Sequence, residues 1–253
     1  MSEKPINIYW SPVFVIESGQ DLGFLYPKPK TLFSELNQQK NKKSSIASMS
    51  YLQCPAVTPK FKKTLVVKNN VNSSYRYLVV DEHKGINPIT ENSLGIEFIR
   101  DSTISLGPTV IFSLQYLFFS DEPLLMSVAP PMFHEPKYTK YGTVVPGEFD
   151  IGQWFRPLNF EVQMWNKNGE FHLEQGEPIM YLEFKTDRPI LLHRFNMNEK
   201  LMAYQNLPQS VQNIYGRFQS LVEKYRKFIE FGYREKVLTE IKQNLIEEEP
   251  YKF

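Results

Sequence analysis

The stretch Thr109-Val-Ile-Phe-Ser-Leu-Gln-Tyr-Leu-Phe-Phe119 constrains the fold more than any other part of the chain. It is apolar at nearly every position, yet it is far shorter than the roughly 20 residues a membrane-spanning helix needs. Its β-branched and aromatic residues suit a pleated strand, and apolarity on both faces suits a strand held between two packed layers. Asp121-Glu-Pro123 ends it. A chain with such a strand at its centre has to supply a covering layer for each face.

The remaining sequence offers material for those layers. Ile6-Asn-Ile-Tyr-Trp10, Thr64-Leu-Val-Val-Lys68 and Tyr75-Arg-Tyr-Leu-Val-Val80 read as short strands. Asn159-Phe-Glu-Val-Gln-Met-Trp165 alternates, with Phe160, Val162 and Met164 on one face and Glu161, Gln163 and Trp165 on the other. Asn166-Lys-Asn-Gly169 supplies a turn and Glu177-Pro-Ile-Met-Tyr-Leu-Glu-Phe184 a returning strand, so a hairpin is expected. Arg188-Pro-Ile-Leu-Leu-His-Arg-Phe195 adds another strand. From Asn196 the apolar period lengthens to three and four. Asn198 is expected to cap one helix and Pro208 to open a second. Val211, Ile214, Tyr215, Phe218, Leu221, Val222, Tyr225, Phe228 and Ile229 form one apolar stripe that Gly232 ends. Val237, Leu238, Ile241 and Leu245 mark a last helix. The expected fold is mainly β, a β-sandwich, jelly roll or β-clip-like barrel over residues 1–195, with C-terminal helices over 196–253 packed on it.

Charge and cysteine content narrow the partners and the compartment. With 23% charged residues and a net charge of +1, no global field draws the chain to nucleic acid or anionic membrane, so a polyanion would need a local patch. Between Lys28 and Lys68 nine lysines face one acid, Glu35. Lys40-Asn-Lys-Lys-Ser-Ser45 reads as a solvated loop, with a polyanion-binding patch as the alternative. Cys54 is alone, which excludes an internal disulfide and suits a reducing compartment. Met1 to Pro12 lacks the basic start and apolar run of a secretion signal, so a cytoplasmic chain with no membrane partner is expected.

His83, His134, His172 and His193 do not share a compact metal-ligand spacing, so no metal residue is assigned. A cupin-like metal-dependent oxygenase is the third reading of function. No Gly-rich phosphate loop or Gly-x-Ser-x-Gly elbow occurs, and catalytic residues and cofactor are left unassigned. Residues 129–157 mix Pro, Gly, aromatics and charges between strands, where loops on a rigid sheet carry function. His134, Lys137, Lys140, Asp150 and Arg156 are the candidate ligand-binding residues. Arg156 precedes Pro157 and so sits in extended backbone. Its fork either pairs internally with Glu148 or Asp150 or holds an external anion.

Gly147-Glu-Phe-Asp-Ile-Gly-Gln-Trp-Phe-Arg-Pro157, with Ile8-Tyr-Trp-Ser-Pro12 and Leu25-Tyr-Pro27, resembles a family of uncharacterised proteins carried by large tailed bacteriophages, marine ones among them, and by some bacteria. The resemblance covers most of the chain and implies a viral or virus-related origin without an activity. Over about 40 residues, Val145-Pro-Gly-Glu-Phe149, Phe160-Glu-Val-Gln-Met-Trp-Asn166 and Leu173-Glu-Gln-Gly-Glu-Pro-Ile-Met-Tyr-Leu-Glu-Phe184 are similar to the closing half of the dUTPase and dCTP deaminase superfamily. That similarity implies a related β architecture and nucleotide binding. Gln163 stands where the deaminases carry a catalytic glutamate, and an amide is no general base. The leading reading is a non-enzymatic binding or structural protein, in the host cytoplasm if phage-encoded. Its rival is a nucleotide-binding enzyme or pseudoenzyme, a homo-oligomer in which Asp150, Lys137, Lys140 and Arg156 meet a phosphate chain.

Overall fold

The computed structural model describes residues 4–13, 26–42, 51–70, 72–81, 85–87, 96–100, 107–166, 168–210 and 220–253. In chain order the first elements are β1 (Ile6–Pro12), β2 (Lys30–Thr31), α1 (Leu32–Lys42), α2 (Thr58–Lys62), β3 (Thr64–Lys68), β4 (Ser73–Asp81), β5 (Gly85–Asn87) and β6 (Ile96–Arg100). Next come β7 (Thr109–Ser120), β8 (Leu125–Ala129), β9 (Gly142–Val144), β10 (Gly147–Asp150), β11 (Pro157–Met164), β12 (Asn168–Leu173), β13 (Pro178–Phe184) and β14 (Ile190–Arg194). Helices α3 (Glu199–Ser210), α4 (Leu221–Glu230) and α5 (Tyr233–Gln243) precede a last short strand, β15 (Tyr251–Lys252). The fold is mainly β, with two α-helices between β2 and β3 and three between β14 and β15 among the described residues.

A seven-stranded sheet runs β15-β14-β1-β7-β11-β9, with β6 also on β7, and a five-stranded sheet runs β10-β8-β13-β3-β2. A three-stranded sheet, β12-β4-β5, stands beside them. β7 is central, as its sequence requires, and each of its faces meets a different layer. Phe112, Leu114, Tyr116 and Phe118 enter the main core together with Met126, Met180, Leu182 and Phe184 of the five-stranded sheet. Leu117 and Phe119 face the other way, into a cluster with Leu201, Phe228, Val237 and Ile241 of the C-terminal helices. The outer face of the five-stranded sheet has its own cover, where Leu32 and Phe61 pack on Val66 and Tyr181.

Several expectations are corrected by these contacts. The strands over Asn159 and Glu177 are not a hairpin: β11 pairs with β7 and β9, whereas β13 pairs with β3 and β8. Both strands aim apolar side chains at one core from opposite sheets, and the residues after the turn form β12 against β4. Lys40 and Lys42 belong to α1, whose backbone is anchored by Leu32, Phe33 and Leu36 on the sheet, with Thr31 Oγ1 accepting the Ser34 amide at 3.2 Å. Lys43 to Ser45 lie outside the described residues. Pro208 falls within α3 and does not open a helix. Ser220 instead opens α4 through a reciprocal capping box with Glu223, which puts Leu221 and Val222 in an exposed first turn rather than on the stripe. Val211, Ile214, Tyr215 and Phe218 lie outside the described residues. Asn198 does cap α3, its Oδ1 accepting the Leu201 amide at 2.9 Å, and Gly232 separates α4 from α5 at φ 66°, a left-handed conformation that glycine tolerates. After α5 the chain returns to the sheet, where β15 pairs with β14. No described helix is long and apolar enough to cross a membrane.

Candidate functional site

Residues 150–156 form a pinned turn that sets two side chains at the edge of the seven-stranded sheet. Asp150 Oδ1 accepts the backbone amides of Leu124 at 2.9 Å and Gly152 at 2.8 Å, and its Oδ2 accepts Gln153 Nε2 at 2.9 Å. A Cβ at residue 152 would stand 2.5 Å from the Glu122 carbonyl oxygen, so only glycine allows this approach. From α5, Arg234 Nε donates to the Gly152 carbonyl at 2.9 Å and its Nη2 to the Asp121 carbonyl at 2.7 Å. Phe155 is fully buried edge-on to Phe119, with centroids 5.2 Å apart. On either side of that anchor, Trp154 stacks on Tyr225 of α4 at 4.5 Å, and the Arg156 guanidinium lies over Trp154 at 5.1 Å.

Arg156 has no carboxylate partner among the described residues. Asp150 spends its oxygens on the turn, and Glu148 is exposed, so neither expected internal pair forms. Arg156 Nε is buried without a hydrogen-bond partner among the described residues, and the Tyr225 hydroxyl is buried against the same guanidinium. Burial pushes the Tyr225 phenol pKa up, opposed by the charge of Arg156 and by its hydrogen-bonding contact with the phenol. Arg156 borders a cavity of about 190 Å³ whose other walls include Val128, Phe149, Trp154, Leu158 and Glu161.

The other candidates stand elsewhere. His134 is half-buried on the outer face of the five-stranded sheet, its Nδ1 2.6 Å from the Tyr181 hydroxyl. Burial lowers its pKa, the Glu35 charge opposing and the Lys68 charge reinforcing the shift. Lys137 opens a 3₁₀ turn (Lys137–Lys140) and is ion-paired with Glu174, whose hydrogen bond raises the lysine pKa. Its amide donates to Glu177 at 2.5 Å, and the turn is anchored by buried Tyr138, which donates to the Ile179 carbonyl at 2.5 Å. Lys140 is exposed at the end of that turn. The five candidates thus occupy three surroundings, and only Arg156 borders a described cavity. Gln163 is a clamp within the sheet, donating to the Gly107 carbonyl at 2.8 Å while accepting the Thr109 hydroxyl at 2.9 Å. His193 is half-buried 2.9 Å from Asn7 Oδ1, and burial lowers its pKa. His83 lies outside the described residues, and among the described ones no group of three or more His, Cys, Asp or Glu side chains could hold a metal ion.

A second cavity, an open cleft of about 880 Å³, lies where α2 meets the end of β13. Lys60, Lys62, Lys63 and Lys185 line it against two carboxylates, Glu183 and Asp187. Glu183 bridges two of the lysines, with Lys60 Nζ at 3.0 Å and Lys185 Nζ at 3.1 Å. Burial raises the Glu183 pKa, but the hydrogen bonds and charges of Lys60 and Lys185 together outweigh it and leave the pKa lowered. Lys63 is half-buried and donates to the Arg188 carbonyl; burial lowers its pKa, opposed by Asp187. The lysine excess before Lys68 is the sequence signal for this cleft, whereas Lys185 and Glu183 arrive only through the β3 to β13 pairing. No protein-family model, no curated protein and no solved structure matches the chain.

Proposed function

We propose that this chain is a non-catalytic binding protein, built as a two-sheet sandwich, whose lysine-lined cleft takes up a phosphate-bearing chain. The observation that carries the reading is that four lysines and two carboxylates line one open cleft of about 880 Å³, with Lys60 and Lys185 held on Glu183, Lys62 over the Phe33 ring and Lys63 donating to the Arg188 carbonyl. An ammonium group binds phosphate as a point charge and needs no fixed geometry to do so. The same cleft is poorly equipped for catalysis. Its bridging carboxylate, Glu183, has a lowered pKa and is tied to two lysines, which makes it a weak general base. The nucleotide kinship suggested by the resemblance to dUTPases and the phage kinship suggested by residues 147–157 both accommodate such a ligand, in a cytoplasmic setting.

Fluorescence anisotropy against labelled single-stranded DNA, inorganic polyphosphate and a nucleoside triphosphate tests the proposal across a series of NaCl concentrations. Binding should weaken with salt, and a strand contacting all four lysines would give a log–log slope of about −3, since each neutralised phosphate contributes roughly −0.7 on a single strand. The combined change of Lys60, Lys62 and Lys185 to Gln should remove most of that slope. Saturable binding of the triphosphate but not of the strand would restrict the ligand to nucleotides. No salt-dependent binding of any of the three would overturn the proposal.

A further inference from the structure

We infer that the cavity beside Arg156 is a binding site for a small zwitterion, an α-amino acid with an apolar side chain. Three observations converge on that class. At about 190 Å³ the cavity lies below the ~300 Å³ at which sites for drug-sized ligands begin, so its occupant is a small metabolite. Two residues of opposite charge, Arg156 and Glu161, are among those lining the cavity, and no ion pair joins them. The remaining wall is largely apolar, with Val128, Phe149, Trp154 and Leu158.

Each feature answers a part of an amino acid. Arg156 offers a planar fork of donors, held over the Trp154 ring at 5.1 Å, and its buried Nε has no partner. A carboxylate is the acceptor whose two oxygens match such a fork. A buried donor left without an acceptor costs about 1–3 kcal/mol, which a bound carboxylate would recover. Glu161 would take the ammonium group, and the aromatic and aliphatic wall would take the side chain. A simple anion satisfies Arg156 alone and meets repulsion from Glu161, while a simple cation meets the converse. A zwitterion satisfies both charges and leaves the cavity neutral. This site shares no lining residue with the lysine cleft, so the two assignments stand or fall separately.

Isothermal titration calorimetry of the full chain with L-leucine and L-phenylalanine tests the assignment, beside leucinamide, which lacks the carboxylate, and 4-methylpentanoate, which lacks the ammonium group. Saturable binding of at least one of the two amino acids is expected, with a tenfold or greater loss for each truncated probe. Arg156→Gln should abolish amino-acid binding. Glu161→Gln should weaken it while improving binding of 4-methylpentanoate, a reversal that a merely structural role for Glu161 would not produce. Should Arg156→Gln fail to fold, the ligand series on the unaltered protein and Glu161→Gln decide the matter. Absence of binding by both amino acids, equal binding of leucine and its two truncated forms, or an unchanged ligand preference in Glu161→Gln would overturn the assignment.

Discussion

The two cavities differ in how their charges are kept. In the cleft beside α2, Lys60 and Lys185 are 57% and 40% exposed at their side chains, and Glu183 bridges them. In the cavity beside α4, the Arg156 guanidinium lies against Trp154 with a buried Nε that has no partner, and no carboxylate pairs with it among the described residues. Water screens the first set and lets it exchange partners cheaply, whereas the second is fixed by packing and sensitive to what fills its pocket. An exposed lysine cluster therefore suits a ligand recognised by charge density. A stacked, half-buried arginine suits a ligand recognised by shape.

If that contrast is right, stability should depend strongly on the turn that holds Arg156 and weakly on the charges of the cleft. The largest effect is expected at Asp150. Its carboxylate accepts three hydrogen bonds, two from backbone amides, and Arg234 braces the same turn from α5. Asp150→Ala should cost about 2–4 kcal/mol, because the amides lose a charged acceptor in a partly buried site. Asp150→Asn keeps one amide oxygen for Leu124 and Gly152 and should cost about 1 kcal/mol. Urea unfolding monitored by tryptophan fluorescence measures both. A loss below 0.5 kcal/mol (about the noise of surface substitutions) for Asp150→Ala would mean that the turn does not hold the pocket.

A smaller effect is expected at Tyr225. Its hydroxyl is buried against the Arg156 guanidinium, while its ring stacks on Trp154. Tyr225→Phe keeps the stack and removes the hydroxyl, so stability to urea should change by about 1 kcal/mol at most. A loss as large as that of Asp150→Ala would show that the hydroxyl, rather than the ring stack, holds the Arg156 guanidinium in place.

How far these features could be read from the sequence follows from their range along the chain. Asn159 to Met164 announces a strand because alternation is local, and Asn198 and Gly232 announce helix ends because caps and left-handed residues are local. The pairing partner of that strand was not legible, since β11 and β13 carry similar apolar faces and only the shared core decides which sheet each joins. Helix α1 was hidden by its lysine-rich end, although Leu32, Phe33 and Leu36 already carry a helical spacing. The expected cluster of His134, Lys137, Lys140, Asp150 and Arg156 dispersed for a related reason. Neighbours along a loop diverge when one side chain closes a turn, as Asp150 does, and another closes an ion pair, as Lys137 does. The setting of Arg156 depends on Trp154 and on Tyr225 of α4, which no local pattern encodes.

The smallest effect belongs to the cleft. Glu183 has a lowered pKa, because the hydrogen bonds of Lys60 and Lys185 and their charges outweigh its burial. A carboxyl whose folded pKa lies below its unfolded value adds stability that is fully present above the unfolded value and is lost as the pH falls through the folded one. Removing the charge by Glu183→Gln should therefore lower stability at pH 7 and make progressively less difference as the solution is acidified below the ordinary carboxylate range. Both lysines are well exposed, so screening limits the effect at pH 7 to about 1 kcal/mol. High salt should shrink it further, while the effect of Asp150→Ala should persist in the same buffer because its hydrogen bonds are partly buried. Thermal melts of the unaltered protein, Glu183→Gln and Asp150→Ala at pH 7 and pH 3, each at low and at 1 M NaCl, read all of these differences at once. A Glu183→Gln effect that equals that of Asp150→Ala, or that resists both acid and salt, would erase the distinction between a screened cleft and a packed pocket.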